Sequence, residues 1–527
     1  MTEEYQKIGL HYDILRDVLK EREIIIDSKD ILPEIDIGEN QRIVDDYWVI
    51  DLFAHTLIIE DSETFRLTYK IVEPELTKDE SLLLSSIFSD LKKVLILRDF
   101  SVDLHSKTEV LLENLDDILD EYAMEVSNRL YTKMLYYLFR EFFGYGVIDP
   151  FVNDTYIEDI SCDGYNIPIY VYHMKYGNLE TNVVLPKEAV DKLTLKLAQK
   201  SGKYLSIANP LLDATLPDGS RLQATFGTEI TPRGSSFTIR KFTAEPLTPI
   251  DLIYFGTIPS EIMAYLWLAI EHKLSAIIVG ETASGKTTTL NSILMFVPPD
   301  AKIISIEDTR EIKLYHNNWI SGVTREGVGG EEIDMYDLLR AALRQRPDYI
   351  VVGEVRGREA LTLFQAMSTG HAAYSTLHAG DINQMIYRLE SEPLKIPRSM
   401  LQFLDVALVQ FMWVKGGLRK RYTKEFNEIL GVDTVDKNLL VNQVYRWDPA
   451  LDKHIQIAAS KKIEKIAEAM GGDLNTVREE LNRRKLYLDA MKDKGIRSFR
   501  EVTRRIHAYY RNPEVAFEEL VPEYVKV

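Results

Sequence analysis

The run Gly280-Glu281-Thr282-Ala283-Ser284-Gly285-Lys286-Thr287-Thr288 places two glycines, a lysine and a hydroxyl at the spacing G-x-x-x-x-G-K-[ST]. An apolar segment, Ala276–Val279, precedes it, and a helical pattern, Thr287–Phe296, follows. In that setting the glycines let the backbone wrap so that successive N–H groups converge on an anion. The helix N-terminus adds positive potential. The chemistry expected is binding and hydrolysis of ATP, with Gly280 to Thr288 cradling the nucleotide, Lys286 reaching the β- and γ-phosphates and Thr287 holding Mg²⁺. A second apolar segment, Tyr349–Val352, runs through Gly353 into Glu354, which is expected to face the metal or its water. A third, Ile303–Ile306, ends at Glu307-Asp308. Active sites of open α/β sheets gather at the carboxyl ends of strands, so Glu307 is a candidate to orient or deprotonate the attacking water. Which of the two glutamates is the general base stays open at this level.

Other residues suit the same chemistry. His371 and His378 bracket the short strand pattern Ala372–Ser375 and are candidates to sense the γ-phosphate or to act across a subunit boundary. Arg221, Arg233 and Arg240 precede the cradle and are candidate arginine fingers, which neutralise transition-state charge from outside the core. Arg340 and Arg344 lie one helical turn apart, where they serve an interface or pair with Asp337 and Glu332. The basic run Arg419-Lys420-Arg421, with Lys424, reads as a solvated hairpin or as a contact for anionic lipid or an acidic partner loop.

The elements that must position these groups divide the chain. Residues 1–115 are acidic and mixed. Residues 116–228 read as a small α/β domain. It has helical periodicity over Leu111–Phe143, short strands at Ile157–Ser161 and Ile169–His173 with a turn at Asp163-Gly164, and a helix at Lys187–Lys200. Residues 229–245, with their prolines, read as a linker containing one short strand, Ser236–Ile239. From 246 to 527, apolar strands alternate with helices, which predicts an α/β fold with a parallel-sheet core that carries the P-loop. Within it, Gly416-Gly417 between two apolar runs predicts a β-hairpin over 400–430. The stretch 456–527 is a helical tail, in which Ser498 and Glu501 are spaced as a capping box.

Composition narrows the function. The chain has 527 residues, 45% hydrophobic and 28% charged, as soluble globular chains are. Cys162 is the single cysteine, so neither an intramolecular disulfide nor a CxxC zinc element can form. The first residues lack a basic-then-apolar export pattern, and no run is long and apolar enough to span a bilayer, so a cytoplasmic setting is expected. A net charge of −19 argues against a nucleic-acid motor, which needs a basic face.

Taken together, GETASGKTTTLNS (Gly280–Ser292), IISIEDTREI (Ile303–Ile312), ALRQRPDYIVVGEVRGREA (Ala342–Ala360) and STGHAAYSTLHA (Ser368–Ala379) resemble the secretion-ATPase superfamily. Its members are the ring motors of type II secretion, type IV pili and the archaellum. Upstream, GYGVIDPF (Gly144–Phe151), EDISCDG (Glu158–Gly164), PIYVYH (Pro168–His173), DGSRLQAT (Asp218–Thr225) and RGSSFTIRKF (Arg233–Phe242) resemble the N-terminal domain of the archaeal branch. The resemblance implies ATP and Mg²⁺ at Lys286, Thr287 and Glu354. It implies a catalytic role for Glu307 and for His378 or His371, and a site completed by Arg221, Arg233 or Arg240. It also implies a P-loop, RecA-like parallel-sheet core and a homohexamer, peripheral at the inner face of the cell membrane, working on a polytopic membrane platform protein. Many bacterial type II members carry a tetracysteine zinc element that this chain cannot build. The acidic N-terminal region and the length look most like the archaellum motor, although an archaeal pilus or secretion ATPase would share nearly all of these residues. An ABC-type ATPase is disfavoured because no LSGGQ precedes the Tyr349 strand. A scaffold that binds ATP without turnover is the remaining rival.

Overall fold

The computed structural model describes residues 9–35, 37–95, 103–124, 126–242, 245–325, 332–415, 418–469 and 471–521. The chain divides into two compact units, Met1–Ala244 and Glu245–Val527.

Among the described residues of the first unit, nine strands form one sheet. They are β1 (Gln41–Ile50), β2 (Ala54–Asp61), β3 (Leu67–Val72), β4 (Ile157–Cys162), β5 (Pro168–His173), β6 (Gly177–Val184), β7 (Leu211–Thr215), β8 (Arg221–Thr225) and β9 (Ser236–Arg240), in the spatial order β1-β2-β3-β6-β5-β4-β9-β8-β7. The pairings are antiparallel except β3 with β6. Side chains alternate across a strand, so a sheet covered on one side shows period two. Here Leu212, Ala214, Leu222, Ala224, Phe237 and Ile239 are buried, while Asp213, Arg221, Gln223, Thr238 and Arg240 between them are exposed. Tyr12, Leu15, Phe53, Ile58 and Tyr69 share one apolar core with Leu138, Phe139, Phe151, Ile160 and Val171.

That core corrects three sequence expectations. Residues 1–115 are not a region apart from 116–228, because β1–β3 extend the same sheet through the β3–β6 pairing. The expected division also falls inside a helix, Leu104–Glu121. The periodicity over Leu111–Phe143 belongs to two helices, Leu104–Glu121 and Asn128–Phe142; between them Ala123 has φ 50° and Ser127 caps the second by accepting from Leu130 N. The expected linker 229–245 contains β9, which lies between β4 and β8. A buried carboxylate ties the front of the unit to its middle. Asp149 accepts from Tyr145 N at 2.8 Å and from Tyr12 OH at 2.5 Å, and lies 3.0 Å from His11 Nε2. Burial alone would raise this carboxyl, but the charge of His11 and the three hydrogen bonds hold it below its ordinary value.

In the second unit, nine strands form a second sheet among the described residues. They are β10 (Ala276–Gly280), β11 (Ile303–Glu307), β12 (Trp319–Val323), β13 (Tyr349–Val352), β14 (Ala372–His378), β15 (Val406–Lys415), β16 (Leu418–Val432), β17 (Leu439–Asp448) and β18 (Lys453–Gln456), ordered β12-β11-β13-β14-β10-β15-β16-β17-β18. From β12 to β15 every pairing is parallel, as the alternation of strands and helices predicts; β15 to β18 are antiparallel. The inner parallel strands are buried on both faces, whereas the edge strand β12 is only partly covered. Ala276, Ile278, Tyr349, Val351 and Tyr374 enter one core, while Ile277, Val279, Ile350, Val352 and Leu377 enter the other. The helical tail helps cover the first of these faces. Tyr487, Leu488, Met491, Val502, Ile506 and Tyr509 join Trp267 there, and Trp267 stacks on Phe296 with centroids 5.2 Å apart. The expected capping box is not formed. Ser498 makes no side-chain cap bond, and Glu501 pairs with Arg504 and Arg505, which draw its carboxylate along the helix. The expected turn Gly416-Gly417 lies outside the described residues, but its flanking strands pair as a hairpin, Lys415 opposite Leu418.

Candidate active site

The loop after β10 is built for close approach. Gly280 lies between two strands, opposite His378 on β14 and Gln410 on β15. A Cβ there would sit 2.3 Å from Ser284 Oγ and 2.7 Å from Gln410 O, so only glycine fits. Ser284 Oγ and Lys286 Nζ both donate to Glu281 O at 2.8 Å, drawing the loop into a closed curl. Ala283 takes φ 62°, a left-handed conformation that costs a non-glycine residue roughly 1–2 kcal/mol. Its carbonyl accepts from Arg421 Nε at 2.9 Å. The helix Lys286–Leu294 begins directly after the curl, with Thr287 in its first turn. Backbone curl, lysine and helix N-terminus are the parts a triphosphate requires. A hydroxyl at Thr287 and a carboxylate at Glu354 also suit Mg²⁺, which shares its coordination with phosphates and water.

The carboxyl ends of the neighbouring strands carry the acids. Glu307 closes β11 and is 2% exposed. Its Oε1 accepts from Glu311 N and Ile312 N, each at 2.8 Å, and its Oε2 has no partner among the described residues. Burial pushes this carboxyl up to about 7, outweighing the two backbone donors that favour the charged form. A buried unpaired oxygen calls for a ligand, and a water is the ligand this chemistry needs. Gly353, after β13, lets that side chain in: a Cβ there would meet Glu307 Cγ at 3.2 Å. Thr376 Oγ1 donates to Gly353 O at 2.8 Å, bracing the turn from β14. Glu354 follows and pairs with Arg356 at 2.5 Å; Glu359 then caps the turn by accepting from Arg356 N and Gly357 N.

His378 ends β14 beside the loop, its Nε2 3.1 Å from Thr282 Oγ1. Arg388 holds it from behind, donating to His378 O at 2.7 Å. Glu281, Thr282, His378, Gln384 and Arg388 line a cleft of about 550 Å³. The second histidine is elsewhere. His371 precedes the start of β14, roughly 20 Å along the strand from His378, with its Nδ1 3.1 Å from Thr369 Oγ1. Strands of a parallel sheet point one way, so residues seven apart across one of them fall on opposite edges. Of the two candidate histidines, His378 is therefore the one that stands beside the loop within this chain.

The three candidate fingers belong to the first unit. Arg221 pairs with Asp213 at 2.7 Å. Arg240 stands opposite Arg221 on one side and Asp159 on the other. Arg233 is exposed, and its carbonyl accepts from Tyr165 N. Arg340 lies over the Tyr336 ring at 5.5 Å, and it is Arg358 that pairs with Asp334. Arg388 carries no motif signal, and only the fold brings its helix, Ile382–Glu390, against the end of β14; Thr376 lies within the Ser368–Ala379 motif, but its bond to Gly353 O is visible only from the register of β13 and β14. Arg421 lay within a visible basic run, but strand alternation turns it onto the loop rather than to solvent.

The family profile described as type II/IV secretion system protein matches residues 189–410. The uncharacterized protein MJ0900 of Methanocaldococcus jannaschii is 42% identical over 384 residues, 72% of this chain and 70% of that one. The type IV secretion system protein PtlH of Bordetella pertussis is 33% identical over 237 residues, 40% of this chain and 70% of that one. Among solved structures, the Legionella pneumophila ATPase DotB matches with a TM-score of 0.40 and 20% identity, covering 68% of this chain and 93% of that one. With the relatives matched at this identity and over this share of their length, the chain belongs to the type II/IV secretion system ATPase family.

Proposed function

We propose that this chain is an Mg²⁺-dependent ATPase whose homohexameric ring powers assembly or rotation of an archaellum through a polytopic membrane platform protein. The observation that carries the chemistry is the meeting of the glycine curl at Lys286 with Glu307, Glu354 and His378, all at the carboxyl edge of one parallel sheet. Lys286 and the helix N-terminus bind the phosphates, and Thr287 and Glu354 hold Mg²⁺, which supplies charge neutralisation at the phosphoryl oxygens. Glu307 is the general base. Its affinity for a proton is set near neutrality, and its unpartnered oxygen is placed to orient a water. His378 responds to the phosphate end through Thr282.

At least one of Arg221, Arg233 and Arg240 acts as an arginine finger, a reading supported by their exposure at the surface of the N-terminal unit. Matches to proteins of an archaeon support an archaeal machine. The match to a type IV secretion protein favours, as second reading, an archaeal type IV pilus or secretion ATPase. Among the described residues no helix is long and apolar enough to cross a membrane, which suits a motor that docks on a membrane platform.

The test is ATPase rate per subunit against protein concentration, with Lys286→Ala as control. A rate that climbs with concentration and vanishes in the control supports sites completed between subunits. A monomer at every concentration with ATP present refutes the ring. Deleting the gene and scoring motility against piliation separates the archaellum reading from the pilus reading.

A further inference from the structure

The glycine curl and the buried base are joined through one side chain. Asn291 lies on the helix Lys286–Leu294, which begins at the curl, and is 5% exposed. Its Nδ2 donates to Glu311 O at 2.8 Å, and its Oδ1 accepts from Lys313 N at 2.9 Å. The two partners fix which end of the amide is which, since a carbonyl only accepts and an N–H only donates. The same short segment offers other backbone groups to Glu307: Glu311 N and Ile312 N both donate to its Oε1. Glu311–Lys313 is therefore held between two side chains, Asn291 on the helix and Glu307 at the end of β11. Ile312 shares an apolar core with Leu290, Ile293 and Leu294 of the same helix, so the segment also has an anchor that does not depend on the amide.

Two N–H groups orient a carboxylate only as well as their own peptide planes are fixed. Between β11 and β12, residues 308–318 form neither helix nor strand, so no ladder fixes those planes. The buried amide supplies two bonds in its place. Resting on the reading of Glu307 as the general base, we infer that Asn291 is a positioning residue for it: the amide fixes the segment that aims the carboxylate, and with it the unpartnered Oε2. The helix that receives the phosphates thereby also sets the base. Among charges, Glu311 raises the proton affinity of Glu307 and Arg310 lowers it, and both sit on or beside the clasped segment. From the β13 side Gly353 brings no side chain, and Glu354 beyond it is paired with Arg356. Loosening the segment weakens the two donors that favour the charged carboxylate, so its proton affinity rises.

The experiment follows ATP hydrolysis by the full chain from about pH 5 to about pH 9 in wild type, Asn291→Ala, Ile293→Ala and Glu307→Gln, with a calorimetric ATP affinity and a thermal melt for each. Asn291→Ala is expected to lower kcat at neutral pH at least about tenfold while KM and ATP affinity stay within about threefold. It is also expected to move the acid limb of the kcat profile up by roughly half a pH unit or more, the equivalent of one neutral hydrogen bond lost to the carboxylate. Ile293→Ala, which loosens the same helix without touching the amide, is expected to lower the melting temperature and leave the limb in place. Where Asn291→Ala does not stay folded, Asn291→Ser, too short to span both partners, is read for the same shift. An unmoved limb in the folded Asn291 variant, affinity lost in proportion to kcat, or an equal shift in Ile293→Ala overturns the positioning role and leaves Glu307 as the base. Wild type without turnover or without an acid limb near neutrality, or turnover kept in Glu307→Gln, overturns the base assignment and this inference with it.

Discussion

Replacing Glu307 by glutamine should stabilise the protein at neutral and alkaline pH while stopping turnover. The carboxyl titrates near 7 in the folded chain against an ordinary 4.5, with burial the largest cause, Glu311 adding to it and Arg310 opposing it. Between those two values the folded state binds more protons than the unfolded state, so stability falls as pH rises through the window. Integrated to pH 8, the cost of holding the charged side chain is about 3 kcal/mol; at pH 5 it is under about 1 kcal/mol. Glutamine removes the charge and keeps an oxygen to accept from Glu311 N and Ile312 N. Urea unfolding of wild type and Glu307→Gln from pH 5 to 8 measures this, with Trp319 as a nearby reporter because its indole N–H donates to Ser305 on the same strand. The variant's advantage should grow from pH 5 to about pH 7 and level off above it. Wild-type turnover should rise through pH 7 as the base ionises, and the variant should lack both the rise and the activity. A stability difference flat in pH, or a variant weaker than wild type at pH 8, would refute the reasoning.

Three further outcomes follow from the geometry. His378→Ala should lower kcat by about 10- to 100-fold, while His371→Ala, at the far edge of the sheet, should stay within about twofold in steady-state assays. Gly280→Ala drives a Cβ against Gln410 O, so it should cost roughly 1–3 kcal/mol in urea unfolding and abolish nucleotide binding measured by calorimetry. Asp149→Ala strips the buried acceptor from His11 and Tyr12, so the N-terminal unit should lose roughly 3–5 kcal/mol, read as earlier unfolding and faster proteolysis, while the C-terminal unit keeps its melting behaviour.

Much of the C-terminal unit was legible in sequence because a parallel strand is short, apolar throughout and followed by a helix. β10 and β13 show that pattern in full, while β11 is mostly apolar but leads through a loop into β12, and β14 carries Ser375, Thr376 and His378 among its apolar residues. The cradle was readable for the same reason that Gly280 is irreplaceable: the geometry admits few residue types. His371 and His378 looked equivalent because spacing along a strand does not say which end faces the site. Arg421 was read as surface charge because its partner, the Ala283 carbonyl, is 138 residues away. The N-terminal unit was less legible. Its strands are amphipathic, and although β1–β3 and β4–β6 each follow one another closely, nothing local announces that β3 pairs with β6 across more than 100 residues. The short strand Ser236–Ile239 was legible and is β9; the prolines around it mark its flanks rather than a linker.

The most direct test of the central claim is a structure of the full chain with a non-hydrolysable ATP analogue and Mg²⁺. The account predicts phosphates along Gly280–Thr287, Lys286 Nζ released from the Glu281 carbonyl onto the phosphate chain, and the γ-phosphate end turned toward Glu307, Glu354 and His378. A nucleotide bound away from this loop, or bound with Lys286 still on that carbonyl and the γ-end turned away from Glu307, would contradict it.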